Sequence, residues 1–224
     1  MGGVPKDYND TLSMTPTVSC RVIGIGTFGC SVVLAWSSAS NRAKDHQAER
    51  ACITMGEQNS WVVSETCRQN PGIAPIRMLQ LGQFGSGGNV EIARAAAHLY
   101  DRELRSLIDG AELVILAAAM GGSGTGPGLT PHLARIARNA SALTLAVVVT
   151  GFDWEHPRPV QAIKHLRRES HALISLSNQT LGSSFGDFAT LDDVFSKQTQ
   201  IGRNCVSRLL ADGIRLCIDR RRQA

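Results

Sequence analysis

The sequence lacks any apolar run long enough to cross a bilayer. Its longest, Leu113 to Met120 and Leu143 to Val149, fall well short of the ~20 residues a transmembrane helix requires. It also lacks a Cys-x-x-Cys pair. The six cysteines (Cys20, Cys30, Cys52, Cys67, Cys205 and Cys217) are scattered, which argues against a zinc site or a disulfide framework. They fit instead small core residues in a reduced, cytoplasmic protein. Aromatic residues make up only 5% of the chain, and none interleaves the arginines at Arg167 and Arg168 or at Arg215 and Arg220 to Arg222. The stacking platforms of a single-strand nucleic-acid groove are therefore missing. With a net charge of only +4, the clusters read as solvated helix ends, where cations suit the helix dipole. The histidines show no metal-ligand spacing within a helix. Met1 to Thr17 has neither a basic start nor an apolar stretch, so it reads as a disordered lead-in and not as a secretion signal.

What is present is a regular alternation of short apolar runs and longer amphipathic segments. Val18 to Ile25 reads as a strand and about Gly29 to Ser40 as a helix. Ala51 to Met55 and Ile76 to Leu81 are shorter strands, and the polar stretch Glu57 to Pro75 between them reads as loop with a little helix. A helix opens at Asn89, carries Ile92, Ala96, Leu99, Leu104 and Leu107 inward, and stops near Gly110. Glu112 to Ala119 is apolar on both faces, as a central parallel strand requires. Then follow a helix near Pro131 to Asn139, a strand from Leu143 to Thr150, a helix from Pro159 to Arg168 and a short strand from Ala172 to Leu176. Leu191 to Arg215 has room for a long helix, with Val194, Ile201, Val206, Leu209 and Leu210 inward. The pattern predicts an α/β fold: a three-layer, Rossmann-like parallel sheet with helices on both faces. It would occupy residues 18–216, with a basic tail over 217–224.

Ligands of such sheets bind at the C-terminal ends of the strands, and three glycine-rich loops fall there. They are Gly24-Ile25-Gly26-Thr27-Phe28-Gly29, Gly82 to Asn89, and Gly121-Gly122-Ser123-Gly124-Thr125-Gly126. Glycine permits positive φ and close approach to a ligand, and N–H groups at a helix N-terminus attract phosphate. Each loop alone is a common strand-to-helix turn; three at one edge point to a phosphate site. A Walker-type loop is excluded, because no lysine follows the glycines. A dinucleotide site would use the first loop and an acid after the second strand, but only Glu57 stands nearby and the third loop goes unused. Phe28 has two readings, a side chain intruding on phosphate space or one turned into the core.

The segment Met120 to Gly126 resembles the signature loop of the tubulin and FtsZ family, with Ser123 in place of the usual threonine and Met120 in place of the first glycine. Val22 to Gly26 is similar to the family's first strand and loop. Gly85 to Glu91 resembles the loop that meets the terminal phosphate. Leu143 to Thr150 with Phe152, Trp154 and Glu155 resembles the fifth strand and ribose loop, and Ile174 to Leu181 the segment that reaches the base. The likeness runs from about Ser19 to Arg215 and is closer to FtsZ than to eukaryotic tubulin.

The resemblance implies a site for GTP or GDP, with Mg2+ held mostly by phosphate oxygens and water. By position, Gly26, Thr27, Gly29, Cys30 and Ser31 would surround the α- and β-phosphates. Gly87, Gly88 and Asn89 would approach the γ-phosphate, and Gly122, Ser123, Gly124, Thr125 and Gly126 would cradle the phosphates. Glu155 and Arg158 would hold the ribose, Asn178 would read the guanine edge, and Thr199 or Gln200 would supply the second base contact. Gln179 stands where FtsZ carries an acid in the same stretch. The family's hydrolysis uses acids from a second domain of a neighbouring subunit. Here the long helix leads directly into the arginine tail, so the expectation is a nucleotide-bearing face that hydrolyses slowly or not at all alone. Such a chain would associate with itself or with a full-length FtsZ-like partner, as a component or regulator of a cytoskeletal, cell-division filament. The alternative is a degenerate module of the same fold that has lost the nucleotide and keeps only the filament partner.

Overall fold

A computed structural model describes residues 17–39, 48–73, 75–155, 160–185 and 190–223. The strands β1 (Cys20–Ile25), β2 (Ala48–Thr54), β3 (Ile76–Gln80), β4 (Leu113–Ala119), β5 (Leu143–Thr150) and β6 (Ala172–Ser177) make one sheet in the order β3-β2-β1-β4-β5-β6. Every pairing is parallel. The inner strands β4 and β5 are apolar and buried almost throughout, as a sheet covered on both faces demands. The three-layer parallel fold expected from the sequence is the fold observed.

Register fixes where the loops emerge. Ile25, the last residue of β1, lies beside Ile53 of β2 and Ala118 of β4. Three strands thus end level, and the loops that follow them stand in one row. Strand order reverses between β1 and β4, the switch point at which open α/β sheets bind ligands.

One face is covered by α1 (Gly26–Ala39), α2 (Glu57–Gln69) and α8 (Leu191–Gln223), whose apolar residues pack with Val22, Leu113, Ile115 and Val147 of the sheet. The other is covered by α3 (Val90–Leu99), α4 (Asp101–Ser106), α5 (Thr125–Asn139) and α6 (Val160–Glu169), packed on Ile23, Ile53, Leu116 and Val148. The short α7 (Asn178–Ser183) follows β6 directly.

Several elements differ from the sequence reading, each for a physical reason. The polar stretch read as loop is the helix α2. It rests on the sheet through Val63 and Cys67, four residues apart, while Glu65 holds Arg68 and Gln69 on its outer side. So little buried surface leaves almost no apolar periodicity to read. The single helix expected from Asn89 is broken at Tyr100 into α3 and α4. Ile92 and Leu99, expected inward, are exposed, and the buried face of α3 is Ala93, Ala96 and Ala97. Small residues are needed there because α5 comes so close that a Cβ on Gly128 would lie 2.4 Å from the Ala93 methyl.

The helix expected near Pro131 begins at Thr125, inside the glycine loop. Pro127 is tolerated because first-turn N–H groups have no helical acceptor. The final helix continues through residues 217–223 instead of ending in a tail. Its buried stripe is Val194, Gln198, Gly202, Val206, Leu210, Gly213 and Cys217, an almost unbroken four-residue spacing. At its end Arg221 pairs with Glu112 and donates to the Thr17 carbonyl at 3.1 Å. Residues 1–16 of the expected lead-in lie outside the described residues.

Two histidines have fixed hydrogen-bond partners. His132 accepts from Arg135 at Nδ1 (3.0 Å), which leaves Nε2–H to donate to Asp101 (2.7 Å). His171 accepts the Thr144 N–H at Nδ1 (3.0 Å). Burial is the first cause that pushes both imidazoles below their ordinary value.

Two outcomes follow from this packing. A Cβ on Gly29 would lie 2.1 Å from the Ala117 carbonyl oxygen in the sheet centre, whereas one on Gly72 meets nothing within 4 Å. Gly29→Ala should therefore lower stability by about 1–3 kcal/mol in denaturant titration, outweighing the ~1 kcal/mol that alanine gains in a helix. Gly72→Ala should be close to neutral. Below about pH 6.5 the unfolded chain takes up protons that the folded His132 and His171 resist, so stability should fall as pH drops. Thermal melts at about pH 7.5 and 5.5 should show that loss, and a His132→Gln/His171→Gln double variant should show less of it.

Candidate functional site

The C-terminal edge of the sheet is built by glycines at contacts that exclude any side chain. A Cβ on Gly24 would lie 2.3 Å from the Gly29 carbonyl oxygen, and one on Gly126 would lie 1.8 Å from that of Ala119. The N-termini of α1 and α5 are thereby pressed onto the ends of β1 and β4. Gly26 has φ +69°, and a Cβ there would lie 3.6 Å from the Thr125 side chain, so the first loop adjoins the third. A Cβ on Gly124 would lie 2.3 Å from the Asn89 carbonyl oxygen, which joins the third loop to the second. The buried hydroxyls of Ser86 and Thr125 meet at 3.3 Å across the same seam. The three loops form one continuous surface.

The helices behind that surface point their N-termini at it. α1 starts at Gly26, α3 at Val90 and α5 at Thr125. Ser123 Oγ accepts the Thr125 N–H at 3.3 Å, and Asn89 Oδ1 accepts those of Glu91 (2.8 Å) and Ile92 (3.3 Å). Gly87 and Gly88 carry φ of +58° and +79°, a tight left-handed turn with no side chain. Helix N-termini set on glycine loops suit an anion, through the helix dipole and main-chain N–H groups.

The expected phosphate residues therefore lie together, with two qualifications. Thr27 is exposed and Ser31 half-buried, but Cys30 is buried, its Sγ 3.8 Å from the Gly24 carbonyl and 3.9 Å from that of Ile53. Only its main chain is left for a ligand. Its neighbour Cys52 is kept protonated by a hydrogen bond with Cys30 and by burial. Phe28 is buried too, turned away from the loop against Val32 and the notch at Gly202, where a Cβ would meet its ring at 3.2 Å. Of its two readings the core one holds.

A second cluster follows β5 and β6. Met120, Gly121, Thr150, Gly151, Glu155 and Ser177 line part of a crevice of about 210 Å³. The Glu155 carboxylate folds over the third loop, 3.0 Å from where a Gly122 Cβ would stand, and accepts the Phe152 N–H at 3.1 Å. Phe152 stacks on the exposed Trp154 with ring centroids 5.2 Å apart. Gln179 accepts the Asp153 N–H at 3.2 Å, tying this loop to α7. Asn178, at the start of α7, is buried, and its Oδ1 has no hydrogen-bond partner among the described residues. An orphaned buried acceptor of that kind needs an explanation, and a ligand donor is one. Arg158 lies outside the described residues.

Sequence reasoning missed three contributors. Ser86 reads as a loop residue but is a buried bridge to Thr125. Gly151 leaves room for the Glu155 carboxylate, which lies 1.9 Å from where its Cβ would stand. On α8, Thr199 is half-buried and Gln200 exposed, whereas the preceding Gln198 is the buried amide, with an unpartnered Oε1. Its four-residue step from Val194 was the available signal.

Comparison with known proteins agrees with this geometry. Residues 19–185 match the Tubulin/FtsZ family, GTPase domain. The chain is 31% identical over 195 residues to the cell division protein FtsZ of Mycoplasmopsis pulmonis, covering 84% of this chain and 46% of that protein. It is 35% identical over 203 residues to FtsZ of Pseudomonas aeruginosa, covering 86% and 47%. It therefore spans about half the length of these relatives. Among solved structures, an empty FtsZ dimer from M. jannaschii superposes with a TM-score of 0.71 at 21% identity, over 86% of this chain and 54% of that one. A GTPγS-bound CetZ2 protofilament from Haloferax volcanii gives 0.67 at 18%, over 88% and 59%. The fold, the row of loops and the matched residues agree: the chain belongs to the tubulin/FtsZ family.

Proposed function

We propose that the chain binds a guanine nucleotide along the row of loops, as the nucleotide-bearing part of a cytoplasmic, FtsZ-like cell-division filament protein or of a regulator of such filaments. The observation that carries this reading is the seam at Gly124, where the second and third loops touch so closely that only glycine fits. Phosphates would lie over Gly26, Thr27, Gly29 and the main chain of Cys30 on one side. Gly122 to Gly126 would hold them on the other, with Gly87, Gly88 and the Asn89 amide toward the γ-phosphate. Glu155 would hold the ribose and Asn178 would read the base, its orphaned Oδ1 accepting an N–H. Ser31 and Arg158 keep the roles the family resemblance gives them.

Magnesium fits this site as a phosphate-bound ion. It is a hard cation that keeps several waters, and the loops offer the hydroxyls of Thr27, Ser31 and Ser123 but no group of three ligating side chains among the described residues. The ion would neutralise phosphate charge, while the loop N–H groups and helix dipoles hold the oxygens in place.

Hydrolysis by the isolated chain should be slow. Positioning the attacking water needs a carboxylate near the γ-phosphate. The acid on the first turn of α3, Glu91, is engaged with Arg94 at 2.8 Å. An acidic loop from a partner subunit, a second copy or a full-length FtsZ-like protein, would complete the site. The degenerate-module reading rests on Phe28, Cys30 and the departures at the base contacts; the first two side chains are buried in the core.

GTP should raise the melting temperature of the purified chain, with stabilisation of about 2.7 kcal/mol at a hundredfold excess over Kd. The absence of any shift with nucleotide would return the degenerate module. Asn178→Ala should weaken GTP binding about three- to tenfold in calorimetry, the range for one neutral hydrogen bond. A parallel melt of the nucleotide-free variant reads whatever packing the truncation costs apart from binding. In a phosphate-release assay the chain alone should turn over slowly and a full-length FtsZ-type protein should accelerate it; brisk turnover by the chain alone would contradict the need for a partner.

A further inference from the structure

Three helices on the face away from α8 each present an arginine and a histidine to one groove. α3 contributes Arg94 and His98, α5 contributes His132 and Arg135, and α6 contributes His165 and Arg168, around a cavity of about 480 Å³. The spacing within each pair is three or four residues, so both members of a pair project from one helical face. Glu169 is the one acid among the lining residues. The floor includes Pro127 and Gly128, on the first turn of α5 beyond the phosphate cradle.

The groove is not simply three solvated faces brought near each other. Arg135 is fixed, because its guanidinium donates to Nδ1 of the buried His132, whose Nε2 is held by Asp101 at 2.7 Å. His98 packs edge-on against His132 with ring centroids 4.9 Å apart. A carboxylate–imidazole–guanidinium chain, buried at its His132 link, holds the exposed Arg135 in place before any ligand arrives, which lowers the ordering cost of binding. Its neighbours Arg94 and Arg168 stand on separate helices, so charge converges from three directions. The volume falls within the ~300–1,000 Å³ of small-molecule sites. No aromatic platform lines it, as a nucleic-acid groove would need.

We propose that this groove is a binding site, separate from the row of glycine loops, for a small molecule that carries several oxyanion groups, phosphoryl or carboxylate. The arginine forks would take the oxyanions in paired, charge-assisted hydrogen bonds, and the imidazoles of His98 and His165 would add single donors or acceptors. Glu169 and Glu91, the latter paired with Arg94, restrict the ligand to one whose charge is grouped toward Arg135 and Arg168.

The groove can be read independently of nucleotide binding through its histidine ring signals, assigned by His98→Gln, His132→Gln and His165→Gln. Sodium tripolyphosphate titrated into the full chain, with and without saturating GDP, should shift these three imidazole signals in proton NMR in a saturable way. Arg135→Gln, and separately the surface variant Arg168→Gln, should each weaken that response about tenfold, while Arg208→Gln, on the exposed face of α8, should leave it unchanged. Citrate in a parallel titration identifies the oxyanion: an equal response assigns polycarboxylates, a much weaker one phosphoryl groups. Imidazole signals that do not move with either anion, or that move equally in the Arg135 and Arg168 variants, would overturn the proposal. A failure of GTP to bind would leave these signals free to respond.

Discussion

The structure depends on how closely helix N-termini can be brought to the ends of parallel strands. At Gly29 the obstacle is the Ala117 carbonyl, at Gly126 that of Ala119, and at Gly124 that of Asn89, each within 2.3 Å of where a Cβ would stand. These contacts are backbone against backbone, so no rotamer change in a neighbour can relieve them. A single methyl would push α1 or α5 outward and part the loops from one another. The same closeness aims the helix N–H groups at a common space, so packing and anion affinity have one geometric origin.

That geometry needs support from below. Phe28 leaves the first loop and fills the notch that Gly202 opens in α8, while Gly213 accepts the Leu113 side chain at the other end of the sheet. α8 is thereby a long brace against the same strands whose ends carry the loops, and Arg221 locks its far end to Glu112. On the opposite face, the alanines of α3 and Gly128 of α5 let two helices nearly touch. Both layers use small residues to place the loops and large ones to fill the space behind them.

What was legible in the sequence follows from this division. Strands β4 and β5 and the three glycine loops stand out because buried parallel strands are apolar on both faces and close turns demand glycine. The glycines of the three loops were therefore nameable in advance. The helix α2 was not, because two anchors, Val63 and Cys67, leave no periodicity to detect. The inward face of α3 was misread because alanine is a weak hydrophobic signal beside Ile92 and Leu99, and only the proximity of α5 makes alanine the residue that fits. Cys30 shows a limit of another kind: whether its thiol faces the loop surface or the core depends on the neighbouring β2, which the sequence does not place.

A site made mainly of main chain also accounts for the pattern of similarity. Side chains that only fill space can change in concert provided their volume is kept, so the fold persists at 18–21% identity with the M. jannaschii and Haloferax structures. Gly24, Gly29, Gly124 and Gly126 cannot drift in that way, since each stands against a main-chain carbonyl. Identity should concentrate where a Cβ is forbidden and thin out over α2 and the exposed face of α3, where burial is slight. The residues that depart from this rule are the informative ones. Asn178 and Gln198 are buried amides with unpartnered oxygens, and Arg135 is a cation held in place by a buried imidazole. None of these is required to fill space, and packing alone gives no reason for them.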